Sequence, residues 1–349
     1  MISQWFGYAR GVPGVLALLL TAVALPPLLA RLAGGHAPGP GPQLAALAPA
    51  ATLPALAAVA VAAFSGGGWW LALPLALPAA LLLAGQIPPI RPNASAGPAG
   101  AAGAPGSRPG PMTVRVLTLN ARGGSADPAA VLDCVREHQV DVLALQELTP
   151  GLVERLDQAG MGRVLPHTQL DPRPDSPGAG LWARWPLAPL PPVPGLVAAA
   201  PRARTEPEPG RPVVLITVHP LTPLRGRGYP WQRDLARLVT LAGGPEPQVV
   251  AGDFNASRDH RPFRELLAAG FADCADAAQR RPWPGFTWPA SWDVYSDRDK
   301  PALPDRRAVP LMRLDHVLVS PPDTTVRAAQ PVRVAGSDHY AVLAVIEFA

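Results

Sequence analysis

Val249-Val250-Ala251-Gly252-Asp253-Phe254-Asn255-Ala256-Ser257 decides how this chain is read. Three apolar residues form the end of a buried parallel strand. Gly252 turns the chain and leaves Asp253 and Asn255 at the strand's C-terminal end, where ligands sit in open α/β sheets. A carboxylate there can act as a base toward water, and an amide can hold a phosphate oxygen or the attacking water. The same residues equally fit an Asx-turn whose side chains bond only local backbone. The rest of the chain separates these readings.

Working outward, alternating or continuous apolar runs predict strands over 113–119, 140–146, 180–183, 213–218, 249–251, 314–320 and 340–348. Asp127-Pro128 is a helix start, and Val131, Leu132 and Val135 follow at helical spacing. Trp231, Leu235, Leu238 and Val239 mark a second helix, and residues 261–269 a third. Strands mixed with helices, and several late strands, predict a layered α/β domain. Polar residues stand at many strand ends. Asn120, Gln146-Glu147, His219, Asp253 and Asn255 follow strands, while Asp315 and Ser337-Asp338-His339 precede them. Carboxylates, amides and histidines gathered in this way predict a phosphate site built on a hard cation, with oxygen ligands for Mg²⁺ and acid–base groups beside them.

Charge divides the chain sharply. Residues 1–92 carry three arginines (Arg10, Arg31 and Arg91) and no acid. The remainder therefore holds 27 of the 30 basic residues and all 26 acids, a net charge of 27 − 26 = +1. Non-specific nucleic-acid binding normally needs a large basic excess, so nucleic acid is the less favoured partner. Apolar runs over 12–33, 43–64 and 69–90 are each long enough to span a hydrocarbon core of about 30 Å. A cleaved leader would account for the first run alone. Residues 1–92 are thus expected to be three transmembrane helices, 93–112 an Ala/Gly/Pro-rich linker, and 113–349 the catalytic domain, with the lipid bilayer as a partner.

Asn120, Gln146-Glu147, Gly180-Leu181-Trp182-Ala183-Arg184, Val218-His219, Gly252-Asp253-Phe254-Asn255, Arg313-Leu314-Asp315-His316 and Gly336-Ser337-Asp338-His339 together resemble the endonuclease/exonuclease/phosphatase, or DNase I-like, superfamily. The match runs in the family's order from about residue 113 to 349. It implies a four-layered α/β sandwich, two mixed β-sheets flanked by helices, and a metal-dependent hydrolase of phosphoester or pyrophosphate bonds. By the same resemblance, Glu147 is the principal Mg²⁺ ligand, with Mn²⁺ as the substitute ion. Asn120 and Asp338 assist in holding the metal or phosphate. Asp253 orients or deprotonates water, and Asn255 positions it. His339 stabilises the charged transition state, Asp315 orients that histidine, and His219 is a candidate acid for the leaving oxygen.

Three apolar runs before such a domain also resemble the VanJ-type membrane proteins of actinomycetes, a group linked to teicoplanin resistance. That resemblance implies a multi-pass protein of the bacterial cell membrane, an extracytoplasmic catalytic domain and a polyprenyl pyrophosphate substrate. A membrane-anchored nuclease and a non-catalytic lipid-binding scaffold are the alternatives. His316 alternates away from Asp315 and is expected outside the site. His36, His138, His167 and His260 match no motif and are read as structural or surface groups. Cys134 and Cys274 are read as core thiols. Trp283 and Trp292, in an aromatic and basic stretch over 280–300, are candidates for contact with lipid headgroups.

Overall fold

The computed structural model describes residues 2–36, 39–64, 69–87, 110–224, 226–278, 285–291, 307–321 and 324–349. Most of the expected linker, and Trp283 and Trp292, lie outside the described residues. The chain begins with four helices, α1 (Ile2–Leu32), α2 (Gly41–Ala46), α3 (Ala48–Phe64) and α4 (Trp69–Ala84). β1 (Met112–Asn120), α5 (Pro128–Glu137), β2 (Val142–Gln146) and α6 (Pro150–Ala159) follow, then a 3₁₀ turn at Met161–Arg163. Next come β3 (His167–Asp171), β4 (Ala179–Ala183), β5 (Ala188–Pro189), β6 (Arg202–Glu208), β7 (Arg211–Val218), α7 (Gly228–Val239) and β8 (Gln248–Asp253). The chain ends with α8 (Arg261–Ala268), β9 (Ala272–Asp273), α9 (Cys274–Ala277), β10 (Asp315–Ser320), β11 (Thr325–Arg333) and β12 (Tyr340–Phe348). It divides into two compact units: Met1–Pro89 with Pro223–Tyr229 and Ala256–Arg264, and the remainder.

In the first unit, Val12–Leu32 is the one helical stretch among the described residues long and apolar enough to cross a membrane. Its 21 residues reach about 31 Å at 1.5 Å per residue. The other two apolar helices are shorter than expected, 17 and 16 residues. The run over 43–64 splits because α2 ends at Ala46 and Leu47 caps it by bonding back to Leu44. The third run stops being helical at Ala84. Alanines pack the interior: Ala24, Ala48, Ala51, Ala55 and Ala79 cluster with Leu28 and Leu82. Leu18, Leu19, Leu53, Leu73 and Leu77 face outward. Water would favour the reverse arrangement. Hydrocarbon favours small residues at helix contacts and carries no penalty for outward leucines.

Polar links complete this unit. Arg31 donates to the last-turn carbonyls of Leu81 and Leu82 at 2.9 and 3.4 Å, and its Nε lies 3.1 Å from Asp259 Oδ1. His260 Nδ1 accepts from the Ser257 amide, so Nε2 carries the proton and donates to the Pro42 carbonyl at 2.6 Å. The Arg261 amide donates to the Gly34 carbonyl at 2.9 Å. His260 is therefore a structural histidine, as the sequence implies.

The second unit holds two six-stranded mixed sheets, β11-β12-β1-β2-β4-β3 and β5-β6-β7-β8-β10-β9. Alternation assigns their faces. Val114, Val116, Val142 and Ala144 join Val213, Leu215, Val249, Ala251, Val317 and Val319 in one core between the sheets. Leu117, Leu119, Leu143 and Leu145 face the other way, onto Val131 and Val135 of α5 and Leu152 and Leu156 of α6. Asp127 accepts from the Ala129 amide as the cap of α5, with Pro128 at its first position. Cys134 and Cys274 are free, buried thiols in separate cores. Burial foremost, with the nearby Glu137 charge, raises the Cys134 thiol to about 11, which keeps it protonated and inert.

Close approach of β7 and β8 requires Gly252. The two strands are parallel, with Val218 opposite Gly252. A Cβ at Gly252 would lie 1.9 Å from the Val218 carbonyl oxygen, a backbone atom that no rotamer change can move. Gly252→Ala is expected to cost at least about 2 kcal/mol, read as a lower urea midpoint with unchanged slope. A midpoint equal to the wild type would contradict this packing.

Candidate active site

The parity that places Val249 and Ala251 between the sheets also places Asp253 there. The same holds for Asn120 after Val114 and Val116, His219 after Val213 and Leu215, and Asp315 before Val317 and Val319. The site is thus the polar end of the inter-sheet core. Gln146 forms its base. Its amide donates to Thr118 Oγ1 at 3.0 Å and Thr217 Oγ1 at 2.9 Å, tying the first sheet to the second.

Asp253 is the hub. Its Oδ2 accepts from Asn120 Nδ2 at 3.0 Å and lies 3.6 Å from His219 Nε2 and 3.8 Å from His339 Nε2. Its Oδ1 accepts from the Asn255 amide at 2.8 Å. The Asx-turn and the cluster are therefore one structure, with the turn aiming the carboxylate. Asn255 Nδ2 donates to the Pro220 carbonyl, so that side chain ties the ends of β7 and β8 together. Glu147 Oε1 accepts from Asn120 Nδ2 at 3.4 Å, and Oε2 from the Gly123 amide at 2.6 Å. Glu147 and Asn255 have φ of 54° and 49°. Left-handed backbone is uncommon outside glycine, and its appearance at both loops marks locally constrained geometry.

His339 Nδ1 donates to Asp315 Oδ2 at 2.9 Å. Burial disfavours the imidazolium, but the Asp315 and Asp253 carboxylates outweigh it and hold His339 well above the ordinary histidine value. Asp315 is raised, first by its own burial; His339 opposes that shift and Asp253 adds to it. Asp338 is half-buried, and its charge also favours the His339 imidazolium. Its backbone carbonyl accepts from the Ala290 amide. His316 points to the opposite face, with Nδ1 2.8 Å from Asp273 Oδ2 and its ring edge-on to Phe254.

Two buried hydroxyls support the site. Thr287 Oγ1 accepts from the Leu314 and Asp315 amides and so fixes the start of β10. Ser337 donates to the Asn120 carbonyl at 2.7 Å and accepts from the His339 amide at 3.0 Å, joining the end of β1 to the start of β12. A hydroxyl or amide buried between apolar strands needs a partner, and Thr287, Ser337 and Gln146 all have one.

Asp253, Asp315 and His339 offer ligand atoms that all lie within 4.8 Å of one another. Asp315 Oδ1 is buried and accepts no hydrogen bond among the described residues. A buried carboxylate oxygen left in that state is costly unless a cation compensates it. With Glu147 and Asn120 alongside, the donors are mainly oxygen and suit a hard divalent cation.

Residues 117–339 match the profile of the Endonuclease/Exonuclease/phosphatase family. The chain belongs to that family. Membership of that family supports a hydrolase. One solved structure reaches a TM-score of 0.50 and shares the fold; two others are similar at lower scores. A humanized D. rerio TDP2 with 14 mutations is 16% identical at a TM-score of 0.50, with 67% of this chain and 98% of that one covered. An AP endonuclease from Archaeoglobus fulgidus is 15% identical at 0.49, with 67% and 99% covered. The human Nocturnin catalytic domain is 17% identical at 0.48, with 68% and 95% covered. No curated protein matches the sequence.

Proposed function

We propose that this protein is a membrane-anchored, Mg²⁺-dependent phosphoesterase that hydrolyses a phosphoester or pyrophosphate bond of a lipid carrier, with a polyprenyl pyrophosphate as the substrate class. The observation that carries the reading is the single cluster of Asn120, His219, Asp253, Asp315 and His339 at one end of the inter-sheet core. A bound Mg²⁺ supplies charge neutralisation at the phosphate oxygens. The protein's own groups do the rest. Asp253, aimed by Asn120 and the Asn255 amide, takes the proton of the attacking water. His339, kept charged by Asp315, donates to the phosphoryl oxygen as negative charge grows. His219 gives a proton to the leaving oxygen. Glu147, Asn120 and Asp338 are the proposed metal set, with the Asp315 oxygen available to it.

Anchoring rests on the apolar helix Val12–Leu32 and on the outward leucines of the first unit. The multi-pass arrangement and the extracytoplasmic facing are part of the proposal. A net charge of about +1 beyond residue 92 (27 − 26) favours a lipid over a nucleic-acid substrate. Purified full-length protein should release phosphate from a polyprenyl pyrophosphate with Mg²⁺, fall silent in EDTA and leave plasmid DNA intact. Metal-dependent nicking of plasmid without release from the lipid would transfer the assignment to a nuclease.

A further inference from the structure

Three arginines meet far from the catalytic cluster. Arg115, Arg136 and Arg184 line a cavity of about 330 Å³ with Gln139, Val135 and Val164. Arg115 lies on β1 five residues before Asn120, so the cavity is roughly 17 Å from the catalytic end of that strand. We propose that this cavity is a second, non-catalytic site that binds a phosphate group. The proposal does not rest on the catalytic reading.

Asp141 builds the site. It is buried, and both of its oxygens are committed: Oδ2 accepts from the Arg115 amide at 2.8 Å, and Oδ1 lies 3.1 Å from Arg184 Nε. Its backbone bonds the same two residues, the Asp141 amide to the Arg115 carbonyl and the Arg184 amide to the Asp141 carbonyl. One carboxylate thus locks β1, β2 and β4 together at this end. It anchors Arg184 through Nε and leaves the terminal nitrogens of that guanidinium for a ligand. Neither Arg115 nor Arg136 has an ion-pair partner among the described residues. Three guanidinium groups against one carboxylate leave an excess of two positive charges in one concavity.

Like charges held together this way repel, and an anion relieves the repulsion. Planar guanidinium forks match phosphate oxygens in pairs, with the Gln139 amide as a neutral donor nearby. The volume is at the small end for ligand sites, and Val135 and Val164 offer an apolar wall. A phosphate group with a short apolar attachment meets both features. Free phosphate and an anionic phospholipid headgroup carry the same chemistry.

The test titrates inorganic phosphate into the full chain in uncharged detergent with EDTA present, followed by calorimetry. Wild type and His339→Gln should bind alike, because the catalytic cluster is not the site. Arg136→Glu should bind at least about tenfold more weakly, and Arg115→Gln should weaken binding as well. Arg136 is exposed and Arg115 pairs through its backbone, so circular dichroism should show both variants folded; the milder Arg136→Gln serves if Arg136→Glu does not fold. Repeating the titration in nanodiscs separates the sources. Loss of phosphate binding in phosphatidylglycerol discs but not in phosphatidylcholine discs assigns the site to a headgroup, and retention in both assigns it to free phosphate. Absent binding, equal binding in all variants, or binding lost only in His339→Gln overturns the proposal.

Discussion

His339→Gln should leave a folded protein whose kcat is lower by at least about 10²-fold, with KM changed far less. The imidazolium acts on charge that develops only in the transition state, so its removal falls on kcat. Glutamine keeps a donor in the site but no charge. Asp315 and Asp253 then face each other without the cation between them, so the double variant His339→Gln/Asp315→Asn should be no less stable than the single one. The pH dependence has a definite sign. His339 is held well above the ordinary value near 6.5, so it stays charged through neutral pH and activity attributable to it falls only on the alkaline side. Its contribution to stability is likewise complete below about pH 6.5 and lost as pH rises through the folded value. Asp315→Asn removes the nearest anion and should move the alkaline limb toward neutrality. A pH–rate profile with the same limb in wild type and Asp315→Asn, or a His339→Gln variant within about threefold of wild type, would remove His339 from the chemistry.

Asp273→Asn should produce the largest loss of stability, about 3–5 kcal/mol. Asp273 is buried beneath the site, with Oδ2 2.8 Å from His316 Nδ1 and 3.4 Å from Arg313 Nη2, and its Oδ1 caps α9. Burial alone would raise its carboxyl, but Arg313 and His316 overcome that and hold it below the ordinary carboxylate range. Asparagine keeps the cap and the shape but removes the charge that faces Arg313 and His316. In thermal scans the loss amounts to roughly 6–20 °C for a unit of this size. A lowered carboxylate contributes stability that is present above about pH 4 and fades as pH falls through the folded value. The gap between wild type and variant should therefore be flat from pH 7 to 5 and close only in stronger acid. A gap below about 1 kcal/mol at pH 7 would show that the pair is dispensable.

Much of this architecture is legible in the residues themselves. Val249–Ala251 followed by Gly252 and Asp253 reads as a strand and its functional end because the apolar run stops where the polar groups start. Asp127-Pro128 marks a helix because cap and first-turn chemistry are local. His316 is separated from Asp315 by alternation alone. Other elements hide for equally physical reasons. α6 opens with Thr149-Pro150, the same grammar as α5, yet only Leu152 and Leu156 of it are fully buried, so its apolar face is thin. β6 and β11 contain Pro207 and Pro331, and most of their residues are only half-buried, which weakens the contrast between faces that a period of two needs. The long-range joints leave no local trace. Ser337 meets the Asn120 carbonyl across 217 residues of chain, a contact that only the closed sandwich creates.

The first unit is not made of helices alone. Residues 256–264, which begin one peptide bond after Asn255, belong to it through Arg31–Asp259, His260 with the Pro42 carbonyl, and the Arg261 amide with the Gly34 carbonyl. An expression truncation that begins near residue 110 to gain solubility strips three tie-points from the loop that leaves the catalytic strand, and exposes the buried Asp259 and His260 to water. Feeble turnover by such a fragment would diagnose an unmoored loop and not a requirement for bilayer.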